Sequence, residues 1–219
     1  GIFSPDGIRL LFKGPEGLYV IPALGGRARL VVPRLMEKRI WWGSWAPDGK
    51  RIVYVQGGTI FIQSLDSMGP TALAEGGDFH SPAWSPDGKW IVFVSGNSAF
   101  QGDNIAPSAL CLTRASGGPV IALTDSSKLN ISPIWVPGKR AILFISDREG
   151  GRDVYQMFLT ASGTPAGQPV RLTTGLNPER ISISADGKRL VWSVHTRTAN
   201  IWSLPIPVRD SLPLSRARQ

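Results

Sequence analysis

The sequence predicts an all-β chain folded as a β-propeller of five four-stranded antiparallel blades. Three observations predict it. One segment recurs five times, most plainly at residues 81–95, SPAWSPDGKWIVFVS: an apolar run, a tight turn, then a strand of β-branched and aromatic residues. The turn glycines Gly7, Gly49, Gly88, Gly138 and Gly187 lie 42, 39, 50 and 49 residues apart, and a period near forty with four strands per unit is that of a propeller blade. The 25 Gly and 18 Pro, spread evenly between short apolar runs, call for many tight turns rather than helices.

The turn explains its own residues. In Ser85-Pro86-Asp87-Gly88, Pro86 presets φ for the second position, Asp87 can bond its own backbone, and Gly88 accepts a positive φ. Each unit therefore reads as inner strand, turn, second strand, loop, third strand, turn and outer strand. The expected strands of blade 1 (1–34) are 1–3, 8–12, 18–21 and 27–32. Those of blade 2 (35–75) are 40–45, 51–55, 59–65 and 71–74, with Gly57-Gly58 closing a hairpin. Blade 3 (76–124) has 82–84, 90–95, 109–113 and 120–123, and blade 4 (125–173) has 133–135, 141–146, 154–159 and 170–172. Blade 5 (174–219) has 180–183, 189–193, 200–204 and 212–215, and the five blades make one domain, 1–219.

The repeats depart from one another in places. Blade 4 reads as having a shortened turn, Val136-Pro137-Gly138, without the Asp, and blade 5 has Ala185 for Pro. Trp45, Trp84 and Trp135 are replaced by Phe3 and Ile183 in the outer repeats. Two loops are long, 96–107 and 160–168.

Composition narrows the function classes. No apolar run approaches the ~20 residues of a membrane-spanning helix. The formal net charge is +8, but many basic residues follow the turns (Lys50-Arg51, Lys89, Lys139-Arg140, Lys188-Arg189), which disperses the charge and argues against a nucleic-acid partner. Cys111 is the one cysteine, so no internal disulfide forms, and its apolar neighbours make it a buried thiol.

Candidate functional residues lie where the repeats differ. Asp6, Asp48, Asp87 and Asp186 share one turn position and are explained by turn geometry. The connections entering the inner strands converge on one channel mouth in a propeller, and there the residues vary: Trp41, His80, Ile131 and Glu179, beside Trp42, Asp78, Asn130, Asn177 and Arg180. The loops between second and third strands reach the same face with Asp103, Asn104, Asp147, Arg148, Asp153, His195 and Arg197; the inserted loop of blade 3 adds Phe100 and Gln101. From these, Trp41, Trp42, His80, Phe100, Asn130, Glu179 and Arg180 are the expected ligand contacts. Asp78, Asn130, Asn177 and Glu179, with Glu37, offer the oxygens a calcium ion takes, and His80 and Glu179 are the candidate catalytic groups. No Gly-x-Ser-x-Gly elbow is present, because Gly96-Asn97-Ser98-Ala99-Phe100 lacks the last glycine. Two histidines far apart in sequence do not make a His-rich zinc site.

The segments WSPDGKWIVF (84–93) and FISDREGGRDVY (144–155) resemble the WD40-like repeats of TolB-type β-propellers, and the resemblance covers essentially the whole chain; the family's loop pattern over 146–153 implies that Asp147 and Asp153 hold their turn. Among such repeats the arrangement is most similar to the sensor-like propeller domains that follow bacterial serine/threonine kinases, although no kinase motif is present. The resemblance implies a propeller scaffold and an extracytoplasmic or periplasmic location in a bacterium, and because both ends fall inside the repeat pattern the chain reads as five consecutive blades of a longer propeller. It also implies a non-catalytic binding or sensor module that presents its channel mouth to a protein, peptide or small ligand. An open arc of blades would expose sheet faces and favour oligomerisation. The alternative is a calcium-dependent promiscuous hydrolase of the phosphotriesterase, esterase or lactonase kind at the same mouth; it rests on architectural analogy to paraoxonase-like propellers.

Overall fold

The computed structural model describes residues 1–35, 40–67, 69–97 and 106–196. Antiparallel sheets follow one another along the chain, each a meander in which sequence neighbours pair. Blade 1 is β1 (Ile2–Phe3), β2 (Arg9–Gly14), β3 (Gly17–Pro22) and β4 (Arg29–Pro33), and blade 2 is β5 (Ile40–Trp45), β6 (Arg51–Gln56), β7 (Thr59–Ser64) and β8 (Thr71–Ala74). Blade 3 is β9 (Phe79–Trp84), β10 (Trp90–Gly96), β11 (Ser108–Arg114) and β12 (Ile121–Ala122). Blade 4 is β13 (Asn130–Trp135), β14 (Ala141–Ser146), β15 (Asp153–Phe158) and β16 (Val170–Arg171). The fifth sheet shows β17 (Arg180–Ile183) and β18 (Leu190–Ser193); the strands expected at 200–204 and 212–215 lie outside the described residues. The innermost strands are neighbours in the order β1, β5, β9, β13, β17, which is the radial arrangement of a β-propeller.

Strand alternation builds the core between blades rather than within them. Along β6, Ile52 and Tyr54 pack against Leu11, Leu18 and Val20 of blade 1, while Val53 and Val55 turn to Ile91 and Phe93 of blade 3. Along β10, Trp90, Val92 and Val94 meet Ile142 and Phe144 of blade 4. Along β14, Ala141, Leu143 and Ile145 meet Ile181 and Leu190 of blade 5. The middle of an interior blade's second strand is thus apolar on both faces, as in Ile52–Val55, Ile91–Val94 and Ala141–Ile145, because both faces are covered. Cys111 is buried in the blade 2–3 layer, and burial pushes its thiol pKa up.

The repeated tryptophan fastens blades 2 and 4 to the blade before by its indole N–H. Trp45 Nε1 donates to Ile2 O (2.9 Å) and Trp135 Nε1 to Ala83 O (3.0 Å), each a carbonyl on the preceding inner strand. Trp84 instead donates to Gly88 O of its own turn, and its backbone N–H reaches Ser44 Oγ.

Two sequence expectations are corrected. The blade 4 turn is full length. Ile142 pairs with Trp135 as Ile91 pairs with Trp84, and Lys139 N donates to Val136 O where Gly88 N donates to Ser85 O. Gly138 occupies the Asp position with φ 69°, so Val136-Pro137-Gly138-Lys139 has the Pro-Gly order of a type II turn. The inner strands of blades 3 and 4 also begin three residues earlier than expected. Register shifts interrupt their pairing, at places where Ser81 and Ser132 take φ of 50° and 53°. These β-bulges precede Pro82 and Pro133 and re-aim the residues upstream. His80, Asn130 and Ile131, read as connection, are strand residues.

The long loop of blade 4 packs back on blade 3. A Cβ on Gly163 would stand 2.8 Å from Trp90 Cη2 and 2.9 Å from Leu112 Cδ2, so only glycine lets this loop close over the Trp90 ring.

Candidate functional site

Each inner strand runs from the mouth face to its turn, and the loop after each second strand returns to the mouth. Gly96 N donates to Asp78 O, and Leu129 N to Asp147 Oδ1, so these loops lie against the segments that enter β9 and β13.

The structure separates the predicted site residues into three groups. Near blade 3, His80 is half-buried; Nδ1 lies 2.9 Å from Ser81 Oγ and Nε2 3.1 Å from Gly96 O, so both ring nitrogens have partners. Burial lowers its pKa, against the opposing effects of the Gly96 bond and the Asp78 charge. Asp78 is exposed. Near blade 5, Glu179 faces His195 at 3.6 Å, Arg180 is exposed, and Asn177 N donates to Arg152 O. Between them, Ile131 is core, packed in the blade 4–5 layer, which corrects its placement on the channel mouth. Glu37, Phe100, Gln101, Asp103, Asn104 and Arg197 lie outside the described residues, as do the side chains of Trp41 and Trp42.

Asn130 belongs to the third group. It is 1% exposed, and its amide donates to the carbonyls of Ser108 (2.7 Å), Lys128 (3.1 Å) and Asp125 (3.4 Å) while Oδ1 accepts from Arg148 Nη2 (3.0 Å). Ser108 Oγ and the Asn130 backbone exchange hydrogen bonds. Asn130 thus holds the blade 3–4 connection in place. Among the described residues no three of His, Cys, Asp and Glu gather to hold a metal ion.

What surrounds Asn130 is a recess of about 250 Å³ on the mouth side of the blade 3–4 junction, lined by Leu123, Thr124, Asp125, Ser127, Lys128, Asn130, Arg148, Gln168 and Pro169. Arg148 dominates it. Its Nε donates to Ser146 Oγ, and its guanidinium carbon lies 5.1 Å from the Phe144 ring centre and 5.0 Å from that of Tyr155. Two aromatic faces and two oxygens hold the charge in place, and burial draws its pKa down. The Tyr155 hydroxyl beneath it is buried and has no hydrogen-bond partner. Asp125 accepts from Ser127 N and Oγ, which holds its carboxyl below the ordinary range, helped by Arg148 and Lys128. Two cations and one carboxylate leave the recess positive, suited to an anionic or strongly polar group. Asp125 and Lys128 were not singled out in the sequence, although Asp125-Ser126-Ser127 has the form of an Asx turn.

These features define a β-propeller, and structural comparison agrees. The chain matches the crystal structure of TolB from Acinetobacter baumannii with a TM-score of 0.67 at 22% identity, over 91% of this chain and 47% of that one. It matches a TolB from Agrobacterium tumefaciens, described as putative, with a TM-score of 0.59 at 28% identity, over 77% of this chain and 62% of that one. The nidogen/laminin complex gives 0.63 at 16% identity, over 84% of this chain and 69% of that one. The repeats are TolB-like propeller repeats, and the chain spans about half to three-fifths of the two TolB structures. No protein-family model matches the chain, nor does any curated protein. No helix among the described residues is long and apolar enough to cross a membrane.

Proposed function

We propose that the chain is a non-catalytic binding module, with residues 1–219 acting as one propeller domain that presents its mouth face to a protein, peptide or small ligand carrying a carboxylate. Arg148 carries this reading: a guanidinium preset by two rings and two oxygens on the wall of an open, positively charged recess. Preordered arginine loses little entropy when it forms a paired bond to a carboxylate. The fold is one that a complex of two proteins, nidogen and laminin, also contains. A sensor role and an extracytoplasmic, periplasmic location in a bacterium belong to the same reading, drawn from the kind of repeat.

Titration of the purified chain with a tetraglutamate peptide tests it. Binding should weaken as salt rises, and Lys128→Glu, on an exposed side chain, should weaken it at least tenfold. Equal binding by the variant overturns the recess as the site. The hydrolase alternative is tested by assaying phosphotriesters, esters and lactones with and without chelator. Metal-dependent turnover abolished by His80→Ala or Glu179→Ala would replace the binding reading with an enzymatic one.

A further inference from the structure

The recess around Asn130 holds opposite charges that share one space without pairing. A single buried amide sets their places. Asn130 Oδ1 accepts from Arg148 Nη2 (3.0 Å), while Nδ2 donates to the carbonyls of Asp125 (3.4 Å) and Lys128 (3.1 Å). Those two carbonyls bracket the turn that carries the carboxylate, so the amide pins the turn at both ends. Asp125 Oδ1 is held in its turn by Ser127, through N (2.9 Å) and Oγ (2.6 Å). Guanidinium and carboxylate are each fixed from behind, by partners other than one another.

The remaining polar atoms are open. Among the described residues the Arg148 bonds come from Nε and Nη2, those of the Asp125 carboxylate go to Oδ1, and no partner meets Lys128 Nζ. Asp125 and Lys128 are exposed. Arg148 Nη1 is not buried either, since Arg9 Nε and Tyr155 Oη are the buried side-chain polar atoms without a partner among the described residues. All three side chains line the recess of about 250 Å³. The charges are close enough to feel each other: Arg148 adds to the Ser127 bonds that hold the Asp125 carboxyl low, and Asp125 opposes the burial that draws the Arg148 pKa down.

Resting on the reading of this recess as a carboxylate site, we infer that its occupant is a free acidic amino acid, glutamate or aspartate. The α-carboxylate pairs with the open edge of Arg148, the ammonium meets Asp125 Oδ2, and the side-chain carboxylate meets Lys128. Charges match in number and in sign: two cations and one carboxylate on the protein, two carboxylates and one ammonium on the ligand. A plain dicarboxylate would face Asp125 with like charge, and a neutral amino acid would leave Lys128 without a partner. The recess falls just below the roughly 300–1,000 Å³ of pockets for drug-sized ligands, which suits a molecule of amino-acid size.

The test is calorimetric titration of the full chain with L-glutamate, N-acetyl-L-glutamate, glutarate and L-glutamine, with tetraglutamate in parallel. Glutamate should saturate in the millimolar range or below. N-acetylglutamate and glutarate, which lack the ammonium, and glutamine, which lacks the second carboxylate, should each bind at least fivefold more weakly. Asp125→Asn keeps the turn, because Asn suits the position, and should remove the preference for glutamate over N-acetylglutamate. Lys128→Gln should remove the preference for glutamate over glutamine. Equal binding of any of the three analogues, or an unchanged preference in Asp125→Asn, overturns the amino-acid assignment and leaves the carboxylate reading in place. So does binding of tetraglutamate without glutamate; if neither binds, both readings fall.

Discussion

Asp153 is a carboxylate with no exposed surface, and it gathers donors from three directions: the Arg171 guanidinium, Thr173 Oγ1, and the backbone N–H groups of Gly175 and Leu176. Burial alone would raise its pKa, but the bonds from Arg171, Gly175, Thr173 and Leu176 outweigh it and hold the carboxyl low. Asp153→Ala should cost about 3 kcal/mol, measured by urea unfolding, because it strands these donors in the interior. The carboxylate's stabilisation is complete above the ordinary aspartate range and is lost as pH falls through its lowered folded pKa. His80 contributes in the same direction at higher pH. Its folded pKa lies below the ordinary 6.5, so as pH drops through that value the unfolded chain takes up a proton before the folded one does. The melting temperature should therefore fall between pH 7.5 and 5.5, and His80→Gln should flatten that part of the profile. The turn-holding role of Asp153 was legible in the sequence from its place in the loop pattern. That of Asn130 was not: a connection residue with an amide looks like a free ligand until three carbonyls and a guanidinium are found around it.

At the scale of the element, the inner strand carries both a fastener and a phase change. Trp135→Phe keeps an aromatic ring but removes the N–H with the rest of the pyrrole ring, which leaves Ala83 O without its donor; the expected cost is about 1–3 kcal/mol by thermal or chemical denaturation. Gly138→Ala puts a Cβ at φ 69° and should cost ~1–2 kcal/mol. Second strands were easy to read because alternation of large apolar residues on both faces leaves little choice of register, as in Trp90 to Val94. Inner strands were harder. Pro82 and Pro133 look like strand starts, whereas the chain pairs upstream of them by taking Ser81 and Ser132 through positive φ. The blade 4 turn looked short because it lacks Asp-Gly, yet Pro137-Gly138 spans the same distance with a different turn type.

At the scale of the molecule, stability is laid down in layers between neighbouring blades, so protection should follow the number of covered faces. Strands β6, β10 and β14 are buried on both sides, whereas Phe3 and Ile8 in blade 1 and Val191 and Trp192 in blade 5 are 62%, 63%, 65% and 44% exposed. Hydrogen–deuterium exchange should be slowest in β6, β10 and β14 and fastest in β1 and β18; uniform protection would mean that the blades open together rather than layer by layer. At two junctions an arginine lies over the next blade's tryptophan and meets the turn carboxylate of its own blade: Arg9 with Trp45 and Asp6, and Arg51 with Trp84 and Asp48. At those two junctions the turn carboxylate and the indole are held by the turn and by blade packing whether or not the arginine is there. One codon change at that position therefore turns an internal contact into a vacancy already shaped for the lost group. Arg51→Ala should open such a vacancy between blades 2 and 3, a recess gained without any new binding residue.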